Sequence, residues 1–184
     1  MSITKDKICD LKKQFGCNVF FETGFYIGTR FQHAIECGFD KVICIELLKK
    51  FVDAGKIKFK EEIEANKALI HNDDSANMSL YLDDILDEKV LFWLDAHLDN
   101  GLSSASVNPK SRCPVLYELE AIKKLNKRPV ILIDDVRCIV DGSWGQSVLE
   151  VNMNLIVKKI KEISPEYKFT LLSGTIEKDI LLAY

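Results

Sequence analysis

Five short apolar runs in this chain each stop at a group able to bind a cation or move a proton. Val19–Phe21 runs into Glu22, Val42–Ile45 into Glu46, and Leu69–Ile70 leads to Asp73, Asp74 and Ser75. Val90–Leu94 runs into Asp95, with His97 two residues on, and Val130–Ile133 into Asp134 and Asp135. Carboxylates brought to one edge repel each other, so cations or hydrogen-bond donors must accompany them. Asp95, Asp134 and Asp135 make an oxygen-ligand set suited to Mg²⁺ or Mn²⁺, ions that keep several waters and use a few carboxylates plus substrate oxygens. His97, whose ordinary pKa of about 6.5 suits proton removal near neutrality, is the candidate general base. A metal ligand and a loop-carbonyl partner are its alternatives. His33 and His71 read as structural.

The segment Glu22–Gly28, ETGFYIG, adds a second chemistry. Gly24 and Gly28 can take positive φ and let backbone approach a ligand. Glu46, about 20 residues on at the tip of the next strand, stands where nucleotide ribose hydroxyls are bound in doubly wound sheets. A pyrophosphate loop would show GxGxxG and a helix N-terminus free for phosphate. Here Glu22 would repel a pyrophosphate, and Phe25 and Tyr26 add bulk. The loop therefore suits a cationic, phosphate-free nucleoside.

These groups need a parallel sheet to align them. The five runs lack alternation, as expected for strands covered on both faces. Helical periodicity lies between them: Phe31, Ala34 and Ile35 within Thr29–Cys37; Leu116, Leu119, Ile122 and Leu125 within Val115–Leu125; Val151, Leu155, Ile156, Ile160 and Ile163 within Val148–Ile163. Pro114 suits a first helical position. Alternating strand and helix predicts a Rossmann-like α/β three-layer sandwich with right-handed crossovers. Two further strands, Phe169–Leu172 and Ile180–Ala183, are joined too tightly for a helical crossover. They close the seven-stranded sheet as an antiparallel hairpin. The 184 residues read as one domain, residues 1–17 forming a helical lead-in. The polar stretch Asp95–Cys113 is long enough to be functional. Trp144, Arg112 and Arg137 flank the same mouth, Trp144 as a cover for a ligand and the arginines as anion binders or salt-bridge partners. Phe92, Trp93 and Cys44 read as core.

The segments FETGFYIGTR, VICIE, HNDDSANM, LFWLDAH and VILIDD together resemble class I S-adenosylmethionine (SAM)-dependent methyltransferases, from about Asn18 to Tyr184. The loop departs from the commoner GxGxG form at Tyr26. The resemblance implies that Glu22, Thr23, Gly24, Tyr26 and Gly28 surround the cofactor, with Glu22 near its amino-acid end. It implies that Glu46 holds the ribose diol, and that Asp74 with Ser75 reaches the adenine, the choice of Asp73 or Asp74 being open by one register step. Asp95 would then touch cofactor and take part in catalysis with His97. The acids Asp95, Asp134 and Asp135 look like those of metal-dependent O-methyltransferases acting on sugar hydroxyls, which implies a carbohydrate or glycan acceptor.

A formal net charge of −3 argues against a nucleic-acid partner. Cysteines at 9, 17, 37, 44, 113 and 138 form no CxxC pair. With no signal peptide and no membrane-length apolar run, they point to a reducing, cytoplasmic setting. A homodimer is compatible with the sequence. A nucleotide-dependent oxidoreductase, a methyltransferase for a catechol or small acid, and a non-catalytic cofactor binder are the alternative classes.

Overall fold

The computed structural model describes residues 3–97, 113–143 and 150–184. Helix α1 (Lys5–Phe15) is capped by the Thr4 hydroxyl and stopped by Gly16 in the left-handed region, whose N–H returns to the Lys12 carbonyl. The helical lead-in is therefore present. Strands follow at Val19–Thr23 (β1), Lys41–Glu46 (β2), Ala68–Asn72 (β3), Val90–Leu94 (β4) and Val130–Ile133 (β5). The last two are Phe169–Leu172 (β6) and Ile180–Ala183 (β7). β1 runs to Thr23, so Glu22 lies inside the strand rather than at its end.

The sheet order is β3-β2-β1-β4-β5-β7-β6, with β7 the strand that runs against its neighbours. β7 is buried throughout and inserts between β5 and β6, while β6, half-exposed, takes the outer edge. The chain builds outward from β1 to β3 and then returns to place β4 on the other side of β1. That reversal opens a crevice at the carboxyl ends of β1 and β4, where such sheets carry ligands.

Helices α2 (Thr29–Glu36) and α3 (Lys49–Lys58) join α1 on one face. Their Ile8, Phe31 and Val52 pack on Phe20, Cys44 and Trp93 of the sheet. On the other face lie a 3-10 segment (Ser75–Tyr81) and helices α5 (Val115–Ile122), α6 (Val136–Asp141) and α7 (Met153–Ile163). Their Met78, Leu119, Ile139 and Ile156 pack on Phe21, Phe92 and Ile131. The short α4 (Lys60–Glu64) contributes no buried residue, as its charged sequence suggests. Pro114 caps α5 instead of opening it, and α5 stops short of Leu125.

The cysteine reading needs correction. Cys9 and Cys37 form a disulfide with Cα atoms 5.1 Å apart. Packing of α1 on α2 brings them together, an event that local spacing cannot show. Cys17, Cys44, Cys113 and Cys138 are buried thiols. No helix among the described residues is long and apolar enough to cross a membrane.

Candidate functional site

Glu46 closes β2 and reaches back over the first loop. Its Oε2 accepts the Tyr26 N–H (2.9 Å) and its Oε1 the Leu48 N–H (2.7 Å). Tyr26, at φ 50°, occupies the left-handed region that glycine usually fills, and this conformation aims its amide at Glu46. The ring packs edge-on against Phe51 and stays half-exposed. Gly24, at φ 82°, lies so close to the Asp95 carbonyl that a Cβ would collide with it; at Gly28 a Cβ would meet the Phe25 ring. The glycines thus let the tips of β1 and β4 touch. Each of the Glu46 oxygens keeps acceptor capacity for a further donor.

At the tip of β3 the two aspartates differ in their local partners. Asp73 spends its oxygens locally, on the Asp74 N–H (2.7 Å), Asn77 (3.0 Å) and the Tyr81 hydroxyl (2.7 Å). Asp74 is buried and caps the 3-10 segment through the Ala76 N–H. Ser75 is buried beside it. His71 stacks on Tyr81 with ring centres 4.2 Å apart, and His33 lies in α2, both structural positions.

The tip acids do not stand bare. Arg30, in the first turn of α2, gives Nε to Glu22 Oε1 (3.2 Å) and Nη2 to Asp95 Oδ2 (2.7 Å). Its guanidinium lies over the Trp93 ring, 5.5 Å from the centroid. Asp95 also receives the Trp93 indole N–H (3.4 Å), and its backbone N–H is held by Thr23. His97 Nε2 lies 3.3 Å from Asp95 Oδ1 and 2.7 Å from Asp135 Oδ2. Asp135 Oδ1 accepts from Arg137 Nη1 (2.6 Å), and Arg137 also pairs with Asp179. The result is an alternating ladder, Glu22–Arg30–Asp95–His97–Asp135–Arg137–Asp179, across the strand tips. Asp135 holds φ 53°, an unfavourable backbone for a non-glycine residue, between these two cations.

Burial sets the protonation of this ladder. It pushes the Glu22 carboxyl up to about 8, against the pull of Arg30. It also raises Asp95, against Arg30 and His97. Burial alone would lower His97, but the hydrogen bond to Asp135 and the charges of Asp95, Asp135 and Asp134 outweigh it and raise the imidazole. For Asp135, burial is outweighed by the hydrogen bonds from His97 and Arg137, which bring it down to about 2. A raised imidazole favours the protonated form, so a base role for His97 depends on release of that proton.

Three site groups had escaped the sequence reading. Arg30 and Asp179 meet their partners only through the fold, and no spacing announces them. Glu118 was legible: with Val115, Leu119 and Ile122 it falls on the buried stripe of α5, an acid where an apolar residue is expected. It is buried beside the hydroxyls of Ser75 and Thr23, and burial pushes its carboxyl up to about 7. A cavity lined by Glu118, His97, Asp134, Ala96, Cys113 and Pro114 leaves about 10 Å³ for the centre of a water molecule, room for one. Glu22 Oε2, Ser75 Oγ and Glu118 Oε1 are buried without a hydrogen-bond partner among the described residues. Such atoms call for a ligand or water.

The metal set is rearranged relative to expectation. Asp95, His97 and Asp135 present ligand atoms within 4.8 Å of one another, as do Asp134, Asp135 and Asp179, so Asp95 and Asp134 belong to different groups sharing Asp135. Trp144, Arg112 and most of the Asp95–Cys113 loop lie outside the described residues. Arg137 is the salt-bridge partner described above.

No family model matches the chain, and no curated protein does. Solved structures do match. A candidate caffeoyl-CoA O-methyltransferase from Staphylococcus aureus gives a TM-score of 0.64 at 17% identity, covering 97% of this chain and 81% of that one. An O-methyltransferase from Bacillus cereus, solved with SAH, gives 0.60 at 13% identity over 97% and 79%. A candidate rRNA methylase from Clostridium thermocellum gives 0.61 at 16% identity over 100% and 97%. At these identities the likeness establishes the fold, a Rossmann-like sandwich shared with methyltransferases.

Proposed function

We propose that this chain is a SAM-dependent O-methyltransferase that transfers methyl to a hydroxyl of a carbohydrate or glycan. The observation that carries the reading is the Glu46 cradle facing a phosphate-hostile loop, at the switch point of a methyltransferase fold. Glu46, its oxygens fixed by two backbone amides, suits a ribose diol. Asp74 and Ser75 would take the adenine side, and Glu22 Oε2, which has no hydrogen-bond partner among the described residues, could accept from the ammonium group once the loop admits it. The Glu22–Gly28 loop lacks the GxGxxG form that a dinucleotide pyrophosphate requires, which disfavours the oxidoreductase alternative. The B. cereus neighbour was solved with SAH, the demethylated form of this cofactor.

Methyl transfer is an in-line displacement on a sulfonium-bound carbon and needs a deprotonated, oriented hydroxyl. His97, poised between Asp95 and Asp135, takes that proton once its own has left, and the two carboxylates stabilise the imidazolium that forms. The donor types suit a hard divalent ion such as Mg²⁺ or Mn²⁺. Asp135 would hold it with either Asp95 and His97 or Asp134 and Asp179, in competition with Arg30 or Arg137. When bound, such an ion lowers the pKa of a coordinated hydroxyl. The acceptor assignment rests on the hydroxyl chemistry of this cluster. A catechol-like acceptor is the second reading, favoured by the caffeoyl-CoA designation of the S. aureus neighbour. The same reading keeps the chain cytoplasmic, without nucleic-acid or membrane partner, and allows a homodimer. The Cys9–Cys37 bond is the feature that fits a reducing compartment least.

Calorimetry with SAM, in the presence of Mg²⁺ or of chelator, tests the proposal. Micromolar binding is expected, and absence of binding removes it. Binding indifferent to metal removes the ion alone. Methyl incorporation across glycan and catechol panels then separates the acceptor classes.

A further inference from the structure

Among the described residues, the crevice where the proposed cofactor sits holds a fixed cation, Arg30, that the sequence did not foreshadow. Arg30 enters from α2, spans Glu22 on β1 and Asp95 beyond β4, and has its guanidinium over the Trp93 indole, 5.5 Å from the ring centroid. These two strands pair directly, Glu22 opposite Trp93 and Thr23 opposite Leu94, so the guanidinium sits at the switch point itself. Its side chain is 16% exposed. A fork that reaches two carboxylates through different nitrogens, over an indole face, is arginine geometry, which lysine's single ammonium cannot reproduce. Glu22 Oε2 nevertheless remains buried and unpartnered, so Arg30 answers the acids only in part.

We propose that Arg30 is a specificity-determining residue whose positive charge sets how strongly the crevice prefers positively charged SAM to neutral S-adenosylhomocysteine. The inference rests on the cofactor reading above. The two ligands carry the same ammonium, carboxylate, ribose and adenine, and differ in one methyl and one charge. A fixed cation among the acids weakens the hold on the sulfonium and leaves the thioether almost untouched, because Coulomb energy scales with the ligand charge. Arg30 thereby keeps the acidic crevice from binding its charged cofactor so tightly that exchange slows.

The test is calorimetric, with SAM and S-adenosylhomocysteine titrated separately into wild type, R30Q and R30K. R30Q is expected to raise the affinity ratio of SAM over S-adenosylhomocysteine by about threefold or more. R30K keeps the charge and should hold the ratio within about twofold of wild type, even where both affinities change. A ratio unchanged in R30Q overturns the proposal. So does an equal fall for both ligands, which would mean that Arg30 grips their shared carboxylate. If R30Q does not fold, R30Q/E22Q removes the cation together with an acid partner, and its ratio must exceed that of E22Q alone. Failure of the wild type to bind either ligand would instead sink the cofactor reading.

Discussion

Glu46 shows how one carboxylate can both shape a loop and meet a ligand. It fixes the Tyr26 and Leu48 amides, so removing it costs organisation as well as contact. E46Q keeps the shape but turns one acceptor oxygen into a donor facing an N–H; it should weaken SAM binding by about 1–3 kcal/mol. Unchanged affinity by calorimetry would show the ribose site to be elsewhere. The buried acids make a second residue-scale prediction. Glu22 and Glu118 have native pKa values pushed up by burial to about 8 and about 7. Above the ordinary carboxylate range the unfolded chain has released these protons while the native state keeps them. Stability of the ligand-free protein therefore falls as pH rises from about 4.5 through 7 and 8, then levels. The raised His97 acts in the same direction, its stabilisation being complete below about 6.5 and lost as pH passes its native value. E118Q should flatten the part of the fall that ends near pH 7, by on the order of 2 kcal/mol in denaturant titrations. A curve parallel to wild type would mean that Glu118 does not hold its proton.

At the scale of elements, the strands were the most legible part of the chain. Short continuous apolar runs such as VLFWL, bounded by polar turn residues, read as strands, and β1 to β7 all appear where the runs stand. Helix ends were less legible, because Pro114 and the last turn of α5 depend on what packs against them. The glycines of the first loop were read as room for a ligand, whereas at Gly24 the structure fills that room with the Asp95 backbone, a contact the sequence did not show. G24A adds a methyl where the Asp95 carbonyl stands, at a φ that side chains avoid, so both SAM binding and melting temperature should drop. G16A, at φ 65° but in open space, should cost only about 1 kcal/mol and leave binding intact. Equal effects of the two would deny the tip-to-tip contact a role. The α1–α2 disulfide closes a sequence separation of 28, a loop whose entropy is worth about 3 kcal/mol. C9S should lose about that amount in oxidising buffer and nothing in reductant.

Across the whole molecule, the strand-tip acids and the flanking Arg137 were legible, whereas Arg30 and Asp179 were not. An acid after an apolar run is a sequence feature, whereas Arg30 and Arg137 become partners only when α2 and the β6–β7 hairpin close on the tips. Asp179 is the clearest case, since it precedes the last strand yet organises the start of α6. Its carbonyl accepts the Val136 N–H (2.9 Å) and its carboxylate the Arg137 N–H (2.9 Å), besides pairing with the Arg137 side chain. Through Arg137 and Asp135 it stands in line with His97. If the ladder acts as one unit, disturbing either end changes what the other is worth. D179N and H97Q should each destabilise, D179N by about 1–3 kcal/mol, because it weakens the hydrogen bond to the Arg137 N–H and a pair whose arginine is 45% exposed and keeps Asp135. The double variant should depart from additivity by about 0.5–3 kcal/mol, the range for residues within one network. Equilibrium unfolding of the four proteins gives this coupling directly. Additivity within about 0.5 kcal/mol would show the two ends to be independent and reduce the ladder to separate pairs. Coupling of the expected size would mean that the hairpin closing the sheet also tunes the imidazole on which the proposed proton transfer depends.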